Sequence, residues 1–263
     1  MGKIGVKFKI LLSQGRKALI PFFTALYPSK ELFRELLKRA DDAGADCIEL
    51  GIPFSDPLAD GKMIQYSSQW ALRNGFDFSL FLEEITRLEG SLSASLILMS
   101  YFNPILQRGV ENFAREINEA KIEGVIVPDL PLEESFFLKE ALSAHDIDLI
   151  SIAAPTTGSL RLTEICRHSQ GFIYLVSLTG VTGIRERLSE DLFSHIRRVK
   201  KITSKPLCVG FGISSPHQAE KAAEFSDGII VGSALINLVK GREKEKHVPL
   251  EVENFLKEMR RVI

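Results

Sequence analysis

The sequence predicts an α/β fold: a single (β/α)8 barrel, residues 1–263 as one domain, with an additional N-terminal helix. Three observations predict it. Short β-branched or aromatic runs alternate with turn residues and charged, helix-period segments, the pattern of a parallel sheet with crossover helices. Eight such units share 263 residues, a length that a barrel of this kind occupies. No GxGxxG follows the first run, and an open doubly wound sheet would normally stop at five or six strands.

The leading segment MGKIGVKFKILLSQGRKALI has lysines and a short apolar patch but no small-residue cleavage site, and is read as an amphipathic helix. Strands are then expected at 18–26 (ALIPFFTAL), 46–53 (DCIELGIP), 95–101 (SLILMSY), 124–129 (GVIVPD), 148–155 (DLISIAAP), 171–178 (GFIYLVSL), 206–212 (PLCVGFG) and 227–234 (DGIIVGSA). Helices fall between them. KELFRELLKRADDAG repeats Leu32, Phe33, Leu36 and Leu37 at helical spacing and ends at Gly44. FSLFLEEITRLEG, VENFAREINEAKIEG, LEESFFLKEALSAH, LRLTEICRH, DLFSHIRRVKKI and SPHQAEKAAEF follow in turn. The tail GREKEKHVPLEVENFLKEMRRVI mixes both signs of charge, as a helix with a solvated face does. No stretch reads as a linker or a low-complexity segment.

Composition narrows the function classes. The net charge is −1 and the basic residues are dispersed, which gives no nucleic-acid footprint and no polybasic membrane patch. Every apolar run is shorter than the roughly 18 residues a bilayer span needs, so no membrane helix is expected. Cys47, Cys166 and Cys208 are odd in number, widely spaced and set in apolar surroundings, which reads as buried thiols of a cytoplasmic protein. His145, His168, His195, His217 and His247 are scattered without metal-ligand spacing, and no metal site is expected.

The stretch ELGIPFSDPLADG (49–61) carries three carboxylates. Side chains alternate along a strand, so Ile48, Leu50 and Ile52 share one face while Cys47, Glu49 and Gly51 share the other. The branched set suits the face beneath the helices, which turns Glu49 into the barrel. A carboxylate there is either held by backbone amides or a buried cation as packing, or works as a general acid/base whose pKa its apolar surroundings raise. Its place toward the carboxyl end of the second strand, where barrel active sites lie, favours the second role. Asp60 lies in the following loop and can fold back over that face, although an Asp in PLADG is also a good turn former. Asp56, between Ser55 and Pro57, reads as an exposed turn residue.

Glycine turns follow the last three strands: GVTG (180–183), GFGIS (210–214) and GS (232–233). Such turns let a backbone approach a ligand, and their convergence at one end of a barrel points to a small phosphate ester as substrate. SLTGVTGIRERLSEDL is polar and glycine-hinged, fitting either a lid or a surface loop. Phe22, Ile64, Tyr101, Tyr174 and Phe211 are candidates for an apolar slot at the mouth, although aromatics of this kind also serve simply as core.

These residues resemble the tryptophan synthase alpha subunit family over nearly the whole chain. The resemblance rests on ELGIPFSDPLADG, NPILQRGVENF, GVIVPDLPLEES, APTT, GFIYLVSLTGVTG, KPLCVGFGIS and GIIVGSALI. It implies a carbon–carbon lyase of tryptophan biosynthesis, which cleaves indole-3-glycerol phosphate to indole and glyceraldehyde 3-phosphate. Indole would pass through a tunnel to a beta subunit carrying pyridoxal phosphate, in an allosteric heterotetramer of two alpha and two beta chains; the alpha chain itself would hold no cofactor. By motif position Glu49 resembles the catalytic acid/base and Asp60 the carboxylate that accepts the indole N–H. Phe22, Tyr101, Tyr174 and Phe211 resemble the indole slot. Gly183, Gly212, Gly232 and Ser233 resemble the phosphate cradle, Thr182 the lid threonine that orders Asp60, and Asp56 a contact to the beta subunit.

The chemistry suits the residue types. A retro-aldol cleavage needs an electron sink, and the sequence offers no strand-end lysine for a Schiff base and no metal set. Indole is its own sink once ring carbon 3 is protonated, which requires a carboxyl that gives and takes protons and an anion near the ring nitrogen. Four positions depart from the family pattern: Lys62 stands where a proline usually follows ADG, Leu26 and Tyr27 replace a glycine-aspartate pair, and Trp70 replaces an arginine. They raise an alternative, a weakly active or inactive regulatory subunit that mainly activates its beta partner, against which the retained Glu49 and Asp60 argue. Another phosphate-binding barrel enzyme, acting on a phosphoribosyl substrate, is a third reading.

Overall fold

A computed structural model describes residues 2–176, 190–210 and 212–263. Eight parallel strands close into a barrel in sequence order: β1 (Ala18–Thr24), β2 (Cys47–Gly51), β3 (Ser95–Met99), β4 (Ile122–Ile126), β5 (Asp148–Ala153), β6 (Ile173–Val176), β7 (Leu207–Gly210) and β8 (Gly228–Val231). Closure is made by β1 on β8, with Ala18 opposite Gly228 and Pro21 opposite Val231. All eight expected strands are present.

Helices connect them: α1 (Lys3–Ser13), α2 (Lys30–Asp42), α3 (Lys62–Arg73), α4 (Phe78–Thr86), α5 (Phe102–Arg108), α6 (Val110–Glu119), α7 (Phe136–Ser143), α8 (Ser159–His168), α9 (Glu190–Lys200), α10 (Pro216–Phe225), α11 (Ser233–Val239) and α12 (Val248–Arg261). Their starts follow side-chain chemistry. Ser29 and Asp77 accept from the Leu32 and Leu80 amides to cap α2 and α4, and Ser215 caps α10 ahead of Pro216.

The core has an inner and an outer layer. Ile48, Leu50 and Ile52 pack outward against Phe33, Leu36, Leu37 and Phe81 of the helices. Cys47, Ile97, Ile126, Ile150, Cys208 and Ile230 fill the barrel interior. Strand alternation thus assigns the two faces of β2 as the sequence indicates. The leading helix α1 closes the amino-terminal end: Ile4, Phe8 and Leu11 join the interior cluster, and Phe8 meets Phe172 at 5.1 Å between ring centroids. The Asp148 carboxylate at the start of β5 accepts the Gly2 and Gly5 amides at 3.2 and 3.0 Å, pinning the first turn of α1. The opposite, carboxyl-terminal mouth is left for the site.

Most strands are shorter than expected by one to three residues at an end, and between α6 and β4 an expected helix runs into an observed strand. The helical reading VENFAREINEAKIEG stops at Glu119, and β4 starts at Ile122, two residues before the expected 124. The chain reverses at Lys121, whose φ of 59° is a left-handed value more often taken by Gly or Asn, so the sequence carries no break signal there.

Candidate active site

β1 and β2 lie in register with Phe22 opposite Glu49, near the carboxyl ends of both strands. Glu49 is 1% exposed, and neither carboxylate oxygen has a hydrogen-bond partner among the described residues. Burial, with the Asp60 charge adding to it, pushes its pKa up to about 8. A packing role calls for amides or a cation at those oxygens, and the described residues supply none; burial therefore holds the group as a neutral acid at neutral pH.

Asp60 sits at the end of a turn in which its amide donates to the Pro57 carbonyl at 3.2 Å, two residues before α3. Tyr101, the residue before α5, organises this loop: its hydroxyl oxygen accepts the Ala59 amide at 2.9 Å, and its O–H donates to the Asp60 carboxylate. Phe54 stacks on the Tyr101 ring at 5.1 Å and 28°. Burial raises the Asp60 pKa to about 6 while the Tyr101 hydrogen bond pulls it down, leaving the group largely ionised at neutral pH. Two neighbouring carboxyls therefore take opposite protonation states, the arrangement that separates an acid from an anion.

Tyr174, on β6, lies close enough for the charges of Glu49 and Asp60 to join burial in raising its pKa. Its ring covers Gly210, where a Cβ would stand 2.3 Å from the ring; Phe22 likewise covers Gly51, where a Cβ would stand 2.4 Å from its ring. These strand glycines make the room in which the two aromatics lie across the mouth. Glu49, Asp60, Phe22, Tyr101 and Tyr174 thus form one group. Ile64 is on the first turn of α3, partly buried against the cluster that contains Phe22.

At the other side of the mouth, Gly232 is the residue before α11 and Ser233 its first residue, directly after β8. Gly212, after β7, has φ +72°, a left-handed turn. Thr182, Gly183, Phe211 and most of the segment read as a lid lie outside the described residues. Asp56 is exposed, accepts from Ser55 Oγ at 2.5 Å, and lies two residues before the 94% exposed Leu58. Phe54, Gly51 and Gly210 were not singled out by the sequence; a glycine inside a strand was the available signal for the last two. Among the described residues no group of three or more His, Cys, Asp or Glu could hold a metal ion, and no helix is long and apolar enough to cross a membrane.

A family model described as tryptophan synthase alpha chain matches residues 8–263. The chain belongs to the tryptophan synthase alpha chain family. A tryptophan synthase alpha chain of Picosynechococcus is 44% identical over 237 residues, covering 90% of each chain. One from Arabidopsis thaliana is 42% identical over 254 residues, covering 96% of this chain and 92% of its own. Among solved structures, the tryptophan synthase alpha chain of Legionella pneumophila superposes with a TM-score of 0.91 at 34% identity, covering 100% of this chain and 97% of that one. A Mycobacterium tuberculosis tryptophan synthase chain gives 0.91 at 31% identity, covering 100% and 98%. Tryptophan synthase alpha chains are lyases that cleave indole-3-glycerol phosphate. They work in partnership with a beta subunit.

Proposed function

We propose that this chain, as one barrel domain in the cytoplasm, cleaves indole-3-glycerol phosphate at the Glu49–Asp60 site and hands indole to a beta subunit. The single observation that carries the reading is the opposed protonation of two adjacent carboxyls, Glu49 pushed to about 8 and Asp60 to about 6. Protonated Glu49 delivers its proton to ring carbon 3. The ring nitrogen then gains positive charge, which the Asp60 anion stabilises through the N–H. Loss of the side-chain hydroxyl proton to the Glu49 carboxylate breaks the carbon–carbon bond, and indole and glyceraldehyde 3-phosphate separate with Glu49 reprotonated. Phe22, Ile64, Tyr101, Tyr174 and Phe211 form the ring slot; Gly183, Gly212, Gly232 and Ser233 hold the phosphate; Thr182 orders Asp60 from the lid.

Asp56 contacts the beta subunit, consistent with its exposure beside Leu58. The complex is a heterotetramer of two alpha and two beta chains, with pyridoxal phosphate held by the beta partner. The test is indole release from indole-3-glycerol phosphate with a beta subunit present, beside a phosphoribosyl substrate of a neighbouring barrel isomerase. Release of indole, enhanced by the partner, is expected. Turnover of the phosphoribosyl compound alone would overturn the reading, and activation of the partner with no indole release would favour the regulatory alternative.

A further inference from the structure

Three of the four residues that depart from the family pattern, Leu26, Tyr27 and Trp70, lie together beside the mouth. Tyr27 meets Trp70 edge-on at 6.2 Å and 90°, and Tyr66 at 6.4 Å and 81°; Tyr66 and Trp70 meet at 6.3 Å. Trp70 Nε1 donates to the Pro28 carbonyl at 3.0 Å. Leu26, just before, holds a φ of 58° although it is not a glycine, a conformation that persists when surrounding structure enforces it.

Glu243, beyond α11, joins this group. Its Oε1 accepts from Tyr66 Oη at 2.8 Å, from Tyr27 Oη at 3.4 Å and from the Gly241 amide at 2.9 Å. Lys240 Nζ lies 4.5 Å over the Tyr66 ring. One residue along α3, Ser67 shares a 2.6 Å hydrogen bond with Thr24 at the end of β1. Positions 66, 67 and 70 of α3 are thereby tied to the segment after α11, to the end of β1 and to the β1–α2 loop. α3 begins two residues after Asp60 and carries Ile64; α11, which packs on it, begins at the Gly232–Ser233 turn.

We propose that Glu243 is a positioning residue which, through Tyr27, Tyr66 and Trp70, fixes α3 against α11 and so sets the distance between the ring end and the phosphate end of the substrate site. The inference rests on the proposed function for the identity of the two ends. A ligand that spans both ends gains from a fixed spacing, because binding at one end presents the other at high effective concentration. A fragment that occupies only one end gains nothing from it.

The test compares binding of a non-cleavable indole–propyl phosphate with that of glycerol 3-phosphate, in the full chain with its beta partner. Glu243→Ala should weaken the spanning ligand roughly tenfold and leave glycerol 3-phosphate within about twofold. Glu243→Gln, whose amide oxygen still accepts from Tyr66 and Gly241, should recover most of the loss, and Tyr66→Phe should reproduce part of it. Unchanged binding of the spanning ligand in Glu243→Ala overturns the proposal, and so does an equal loss for both ligands, which would mean local damage to the cradle. Because binding is read without turnover, failure of the wild type to release indole would sink the lyase reading alone.

Discussion

Replacing Glu49 by glutamine should change how stability depends on pH. In the folded protein the carboxyl is pushed from its ordinary 4.5 up to about 8, by burial first and the Asp60 charge second. Between those values the folded chain keeps a proton that the unfolded chain releases, so stability falls as pH rises through the window. The fall is up to about 1.4 kcal/mol per pH unit, and approaches roughly 5 kcal/mol across the whole interval. From pH 5.5 to 7.5 wild type should therefore lose roughly 2–3 kcal/mol more than Glu49→Gln, which cannot titrate. The shift of Asp60 from 3.8 to about 6 acts mostly below that range and is shared by both proteins. Urea unfolding of the two proteins at both pH values reads the difference. Parallel pH dependence would refute the claim that Glu49 is buried as a neutral acid.

Three further outcomes follow from the same geometry. Asp60→Asn should lower cleavage at least a hundredfold without lowering the unfolding midpoint, since the anion acts in the transition state and its burial costs stability; steady-state kinetics and a urea titration check both halves. Tyr101→Phe removes the hydrogen bond that lowers the Asp60 pKa, so the acidic limb of kcat/KM should move to higher pH by roughly half a unit or more. Gly210→Ala places a Cβ 2.3 Å from the Tyr174 ring, forcing the ring aside; KM should rise and cleavage fall at least tenfold, at a stability cost of about 1–3 kcal/mol.

Much of the architecture was legible because a barrel strand is buried on both faces and reads as a short apolar run. The alternation that turned Glu49 inward needed only the order of residues in DCIELGI. Three helices were not legible. α3 turns Ser67 and Ser68 inward beside Ala71, so polar residues interrupt its apolar face, while α5 and α11 have seven residues each and present less than two full turns of pattern. All three stand directly beside the mouth, where loops are shaped by the site rather than by helix propensity. The hold of Tyr101 on the Asp60 loop was hidden by a separation of 42 residues between Ala59 and Tyr101. Glu243 was further away still, 177 residues from Tyr66, and only closure of β8 onto β1 brings its segment near α3.

The central claim is that a protonated Glu49 starts the cleavage, and the most direct measurement is the rate of indole release by wild type and Glu49→Gln with the beta partner present, followed across pH. Wild type should show kcat/KM declining below about 6, as Asp60 takes up a proton, and above about 8, as Glu49 loses its own. Glu49→Gln should retain no more than about a hundredth of that rate and show no basic limb. Equal rates in the two proteins would contradict the account.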